Sequence, residues 1–144
     1  MYSEFIERLP YGFQYLFIDS IVDTDAERYI ECSKHYSALL EIVKAHKKIG
    51  GYVPGNVLCE QAAQSALLLG LIRGIVDLDS NTVVLAKQKS DFLIPAKAPC
   101  EIISKVNILA IGDTKIGYEA KLETDGVCIA KIKGVCAILE EHDK

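Results

Sequence analysis

Three residues of this chain, His46, Gly55 and Glu60, have types and positions that suit general acid–base chemistry beside a polarised or anionic oxygen. Glu60 stands near the start of an otherwise apolar stretch, one helical turn before Gln64. An ionised carboxylate is costly in such surroundings, and a carboxyl that holds its proton near neutrality serves as a general acid. His46 precedes Glu60 by fourteen positions, in the segment AHKKIGGYVPGN. The cations Lys44, Lys47 and Lys48 beside it favour the neutral imidazole, the form that a general base requires. Gly55 lets a ligand approach backbone amides at a helix start, where the dipole favours a polarised or anionic oxygen, so it is a candidate oxyanion hole.

The same residues have plainer uses. An acidic residue in a first helical turn balances the helix dipole, a histidine among loop lysines is solvated, and Pro54–Gly55 is a turn that starts a helix. His35 falls inside a strand pattern and His142 in a charged tail, and neither is given a role. No GxSxG, P-loop, GxGxxG or HExxH motif occurs, which removes several common enzyme classes. The five cysteines, Cys32, Cys59, Cys100, Cys128 and Cys136, are odd in number and lack any CxxC pair. They read as reduced small hydrophobes rather than a disulfide frame or a zinc site, and no metal or cofactor is expected.

These residues need elements to hold them. Val57–Val76 reads as a core helix rather than a membrane span, because Glu60, Gln61, Gln64, Ser65 and Arg73 interrupt it. Asn56 is the expected N-cap, and Gly74 with Asp77 marks the end. From Ala66 to Ile72 almost every side chain is apolar, so other elements must wrap around this helix. Thr82–Pro95 and Cys100–Ile111 follow as strands, and Ile116, Tyr118, Ala120 and Leu122 alternate with charged residues in a third. Asp125–Gly126 is a strong hairpin signal, and alternation resumes through Cys128, Ala130 and Ile132, so these last strands predict an antiparallel meander. Upstream, Phe13–Val22 and Arg28–Tyr36 are two further strand candidates around a turn at Asp23–Glu27. The expected architecture is α+β, an antiparallel sheet curled around one long central helix, with an exposed edge closed by a second copy.

The 144 residues suit one domain spanning 1–144, and half of them are hydrophobic, so the chain should fold around one core. A formal charge of −4 gives no global field for a polyanion, which disfavours nucleic acid. The first twenty residues lack an export signal, and with unpaired cysteines this points to the cytoplasm.

Two stretches carry a resemblance. LPYGFQYLFIDSI, Leu9–Ile21, is similar to LPHRYPFLLVDRV at the opening of the 3-hydroxyacyl-(acyl-carrier-protein) dehydratases of bacterial type II fatty-acid synthesis, which have the hot dog fold. PGNVLCEQAAQ, Pro54–Gln64, resembles their PGVLIIEAMAQ with Glu and Gln in register, and DFLIP, Asp91–Pro95, is loosely similar to part of their FKRPVVPGD. The resemblance implies a catalytic pair, His46 removing the α-proton of a 3-hydroxyacyl thioester and Glu60 protonating the departing β-hydroxyl, across a dimer interface. It also implies that the Gly55 amide polarises the thioester carbonyl and that Gln64 lies at the substrate. Its HFPG motif is His46-Lys47-Lys48-Ile49 here, and its opening histidine is Tyr11. The implied partners are an acyl carrier protein and a second copy of the chain. For the carrier, Lys44, Lys47, Lys48, Arg73, Lys87, Lys89 and Lys97 are the expected basic rim. A hot dog thioesterase and a non-catalytic acyl-binding subunit are the alternative readings.

Overall fold

The computed structural model describes residues 2–37, 40, 43 and 51–140, with Phe13 described by its backbone only. A short helix α1 (Ser3–Ile6) and a 3-10 turn (Phe13–Tyr15) lead into strands β1 (Ser20–Thr24) and β2 (Tyr29–Tyr36). Helix α2 (Gly55–Ile72) follows, then β3 (Asn81–Phe92), β4 (Cys100–Ile111), β5 (Lys115–Thr124) and β6 (Val127–Glu140). The strands form one antiparallel sheet in the order β1-β2-β4-β5-β6-β3, curled around α2. The α+β expectation therefore holds, and among the described residues no helix is long and apolar enough to cross a membrane.

Strand alternation decides what meets the helix. Ile102, Val106, Ile116, Leu122 and Ile132 are buried on the inner face, while Lys105, Lys121 and Lys131 face outward. The β5–β6 hairpin turns at Asp125 and Gly126 with φ of 51° and 76°, the paired left-handed conformation of a type I′ turn. β3 arrives after the helix yet pairs with β6, so the meander lies between β2 and β3, and β1 and β3 are the sheet edges.

Helix α2 is enclosed over most of its surface. It stops in a Schellman motif: Gly74, at φ 75°, donates to the Leu71 carbonyl at 3.1 Å and Ile75 donates to the Gly70 carbonyl at 3.0 Å. At the other end the N-cap is Pro54 rather than Asn56. Pro54 is extended, and its carbonyl accepts from the Val57 and Leu58 amides at 3.0 and 3.3 Å, which leaves Asn56 exposed in the first turn.

The Phe13–Val22 strand expectation is corrected: the ladder begins only at Ser20. Before it, the backbone crosses α2 and bonds to a helix side chain. The Phe17 amide donates to Gln64 Oε1 at 2.8 Å, and Gln64 Nε2 donates to the Tyr15 carbonyl at 2.7 Å. Those two groups are thereby lost to sheet pairing, the hydrophobic residues Phe17 and Ile18 cap the core instead, and bonding to β2 starts only where the Asp19 amide donates to the Ser33 carbonyl at 2.7 Å.

Candidate functional site

From Val57 to Leu71 every residue of α2 is buried except Glu60. Burial of this face is worth roughly 1.5–3 kcal/mol for each large aliphatic side chain. A single half-buried carboxylate within that surface is therefore an exception to the pattern that folds the protein. Glu60, Ala63 and Leu67 follow one another at helical spacing and form one wall of a cleft of about 210 Å³. Tyr11 and Tyr15 close one side, and Val83, Leu85 and Cys136 of β3 and β6 form the other. The cleft thus lies beside the edge strand β3.

Three neighbours register the Glu60 charge. Burial first, then Glu60, pushes the Tyr11 hydroxyl up to about 12, so it stays a protonated hydrogen-bond donor at the cleft. The Cys136 thiol is pushed up to about 11 by burial and then by Glu60, which keeps it an inert thiol. Tyr118 is raised by burial first, with Cys136, Cys59 and Glu60 adding to the shift. Its ring lies over Gly134 on β6, where any side chain would collide with it, and its buried hydroxyl has no hydrogen-bond partner among the described residues. Tyr11, which lines the cleft, and Tyr118, buried near it without lining it, are the polar groups that sequence reasoning missed. Tyr11 was legible only as a departure from a motif, and Tyr118 looked like any inward residue of an alternating strand.

The other expected site residues fall elsewhere. Gln64 is fully buried and spends both ends of its carboxamide on the backbone of residues 15 and 17, so it positions the Tyr15 wall of the cleft and does not itself line it. Gly55 heads α2 five residues before Glu60, about 7.5 Å along the axis, and the cleft does not reach it. The Phe92 ring packs against it, since a Cβ there would come within 2.9 Å of Phe92 Cζ. The N-cap residue, Pro54, offers no side-chain hydrogen bond to the first-turn amides. His46 lies outside the described residues, as do Lys44, Lys47 and Lys48 of the expected basic rim. Of that rim, Arg73 is exposed with its guanidinium donating to the Glu27 carbonyl at 2.9 Å, and Lys87, Lys89 and Lys97 are exposed. Among the described residues no cluster of three His, Cys, Asp or Glu side chains could hold a metal ion, and the cysteines are free.

Comparison with known proteins follows this geometry. No family model matches the chain. A 3-hydroxyacyl-(acyl-carrier-protein) dehydratase, FabZ, of Nitrosospira multiformis is 24% identical over 139 residues, covering 94% of each chain. Among solved structures, a mutant thioesterase of Pseudomonas aeruginosa superposes with a TM-score of 0.74 at 12% identity, covering 98% of this chain and 95% of that one. The PaaI protein from the phenylacetic acid degradation operon of E. coli gives 0.65 at 16% identity, covering 82% and 81%. An uncharacterized protein of Pyrococcus horikoshii gives 0.64 at 24% identity, covering 88% and 86%. This chain has the hot dog fold that these structures share.

Proposed function

We propose that this hot dog protein acts on acyl thioesters in the cleft beside α2, and that it eliminates water from a 3-hydroxyacyl thioester carried on an acyl carrier protein. The observation that supports this reading best is Glu60: among the helix residues that line the cleft, Glu60, Ala63 and Leu67, it alone carries a titratable group, and it stands in the dehydratase-like stretch Pro54–Gln64. In the proposed reaction His46 removes the α-proton, the C–H electron pair becomes the C=C bond, and the β C–O bond breaks as Glu60 gives its proton to the departing hydroxyl. Tyr11 supplies a neutral donor beside that oxygen. The Gly55 amide would polarise the thioester carbonyl once Phe92, more than half exposed, turns aside.

A second copy belongs to this reading. β3 is an edge strand of twelve residues, and Val84, Leu85 and Phe92 on it are exposed, which makes it a template for pairing with another β3. The cleft opens beside that strand, so pairing would bring a partner's residues to its mouth. Sedimentation should give a dimer or larger particle, and a monomer at micromolar concentration overturns this part.

A thioesterase reading rests on the solved neighbours described as thioesterases: Glu60 would then direct water onto the carbonyl and release a thiol. The test is incubation of the full chain with a 3-hydroxyacyl carrier-protein thioester while enoyl absorbance and new thiol are followed together. Enoyl product without thiol, lost in both Glu60→Gln and His46→Ala, is the expected result. Thiol without enoyl transfers the chain to the hydrolases, and neither product removes the catalytic reading.

A further inference from the structure

We propose that the outer face of the sheet, opposite α2, binds a compact oligophosphate chain. Register places charges here in rows. Across β2, β4, β5, β6 and β3, the residues directly opposed in succession are Glu31, Lys105, Lys121, Lys131 and Asp91. Two residues along, Glu119, Lys133 and Lys89 oppose one another across β5, β6 and β3. With strands about 4.8 Å apart and about 7 Å between alternate residues, the five lysines are rooted in a patch roughly 14 Å by 7 Å. They line a concavity of about 610 Å³, a size usual for small-molecule sites.

The patch is electrostatically frustrated. Lys105 faces Lys121, Lys121 faces Lys131 and Lys133 faces Lys89, and like charges in direct cross-strand opposition are destabilising. Of these five lysines, only Lys105 has an ion pair among the described residues, with Glu123 at 3.2 Å. The five lysines share the concavity with Asp91, Glu119 and Glu123, which leaves a local excess of positive charge on a chain whose formal charge is −4. A multiply charged anion in the concavity would relieve several of these contacts at once.

Its surroundings define the ligand's size. Glu31 and Asp91 close the lysine row at both ends, and Glu119 borders the second row. An extended polyanion such as a nucleic acid backbone, or an anionic bilayer, would press its phosphates against those carboxylates, whereas a chain of two or three phosphates fits between them. A second copy of the chain centred on this face would set the same lysines against one another.

The test is calorimetric titration of the full chain with tripolyphosphate, and with sulfate at matched ionic strength. One tripolyphosphate per chain should bind at least about tenfold more tightly than sulfate, weakening as salt is raised. Lys121→Glu and Lys131→Glu should each weaken it by about tenfold or more. Lys115→Glu, the same charge change at an exposed position outside the concavity, should weaken it by less than about twofold. ATP binding more tightly than tripolyphosphate identifies the ligand as a nucleotide, with Tyr29 and Asn107 of the same concavity offered to its base, and equal or weaker binding identifies a free oligophosphate. Affinity no better than for sulfate, or an equal loss in Lys115→Glu, overturns the proposal.

Discussion

Two sides of helix α2 carry polar side chains from the same short stretch, Glu60 to Ser65, and put them to opposite uses. On one side Gln61 Oε1 accepts from the Tyr36 hydroxyl at 2.7 Å while its Nε2 donates to the Ile102 carbonyl at 2.9 Å. Ser65 Oγ donates to the Gln61 carbonyl at 2.7 Å and lies 2.8 Å from Ser104 Oγ. Nearly every polar atom there has a protein partner, which fixes how the helix sits on β2 and β4. On the other side Glu60 faces a cleft, and nearby the Tyr118 hydroxyl has no partner among the described residues. Burial with full satisfaction marks structure, and polar groups left over at a cleft mark a place for chemistry.

Substitutions on the two sides should therefore separate turnover from stability. The largest effect belongs to Glu60→Gln: turnover of an acyl thioester should fall by about 10²–10⁴-fold, with stability changed by less than about 0.5 kcal/mol. Retained turnover would remove Glu60 from the reaction. Gln61→Leu should do the reverse, costing about 2–4 kcal/mol in denaturant unfolding because the Tyr36 hydroxyl and Ile102 carbonyl are left buried and unpaired. Activity per folded molecule should persist, and a loss of activity at unchanged stability would contradict the division. Gln64→Ala lies between the two. It should cost about 1–3 kcal/mol and raise KM more than it lowers kcat, since the Tyr15 wall is released.

Tyr118→Phe should stabilise the protein by about 1 kcal/mol, because it removes a buried hydroxyl that has no partner here. That corresponds to a rise in Tm of about 2–4 °C, and a fall would mean that the hydroxyl is satisfied in the assembled particle. The smallest effect is at the β1–β2 turn. The Asp25 carboxylate accepts from the amides of Glu27, Arg28 and Tyr29 at 2.8, 2.8 and 3.0 Å, and these bonds, Glu27's first, lower its pKa. A carboxylate held below its unfolded value contributes stability above that value and loses it as pH falls through the folded one. Asp25→Asn should therefore flatten the acid limb of the stability curve below about pH 4, and an unchanged limb would show that the turn contributes nothing.

Much of this was legible in residue order. The bounds of β4, the hairpin at Asp125–Gly126 and the stop at Gly74 follow from alternation and from the two left-handed turn residues, which are local properties. Glu60 was legible because a charge interrupts an apolar run. The early strand failed because Leu16, Phe17 and Ile18 are hydrophobic for a reason other than pairing: they lie over a helix forty-odd residues away in sequence, held there by Gln64. The backbone partners of Gln64 were not legible for the same cause, since a carboxamide one turn from a carboxylate does not announce which backbone it will meet.

What the sequence determined alone was therefore the central helix with the strands that follow it, the burial of α2 and the one carboxylate that interrupts it, since periodicity and turn preference act over a few residues. Tertiary structure alone decided that β3 leaves the helix to pair with β6 at the edge, which places Glu60 beside an open strand and lines three lysines up across β4, β5 and β6. Strand order and register join residues distant in the chain through backbone hydrogen bonds that are alike at every position, so only the packed sheet selects which side chains become neighbours.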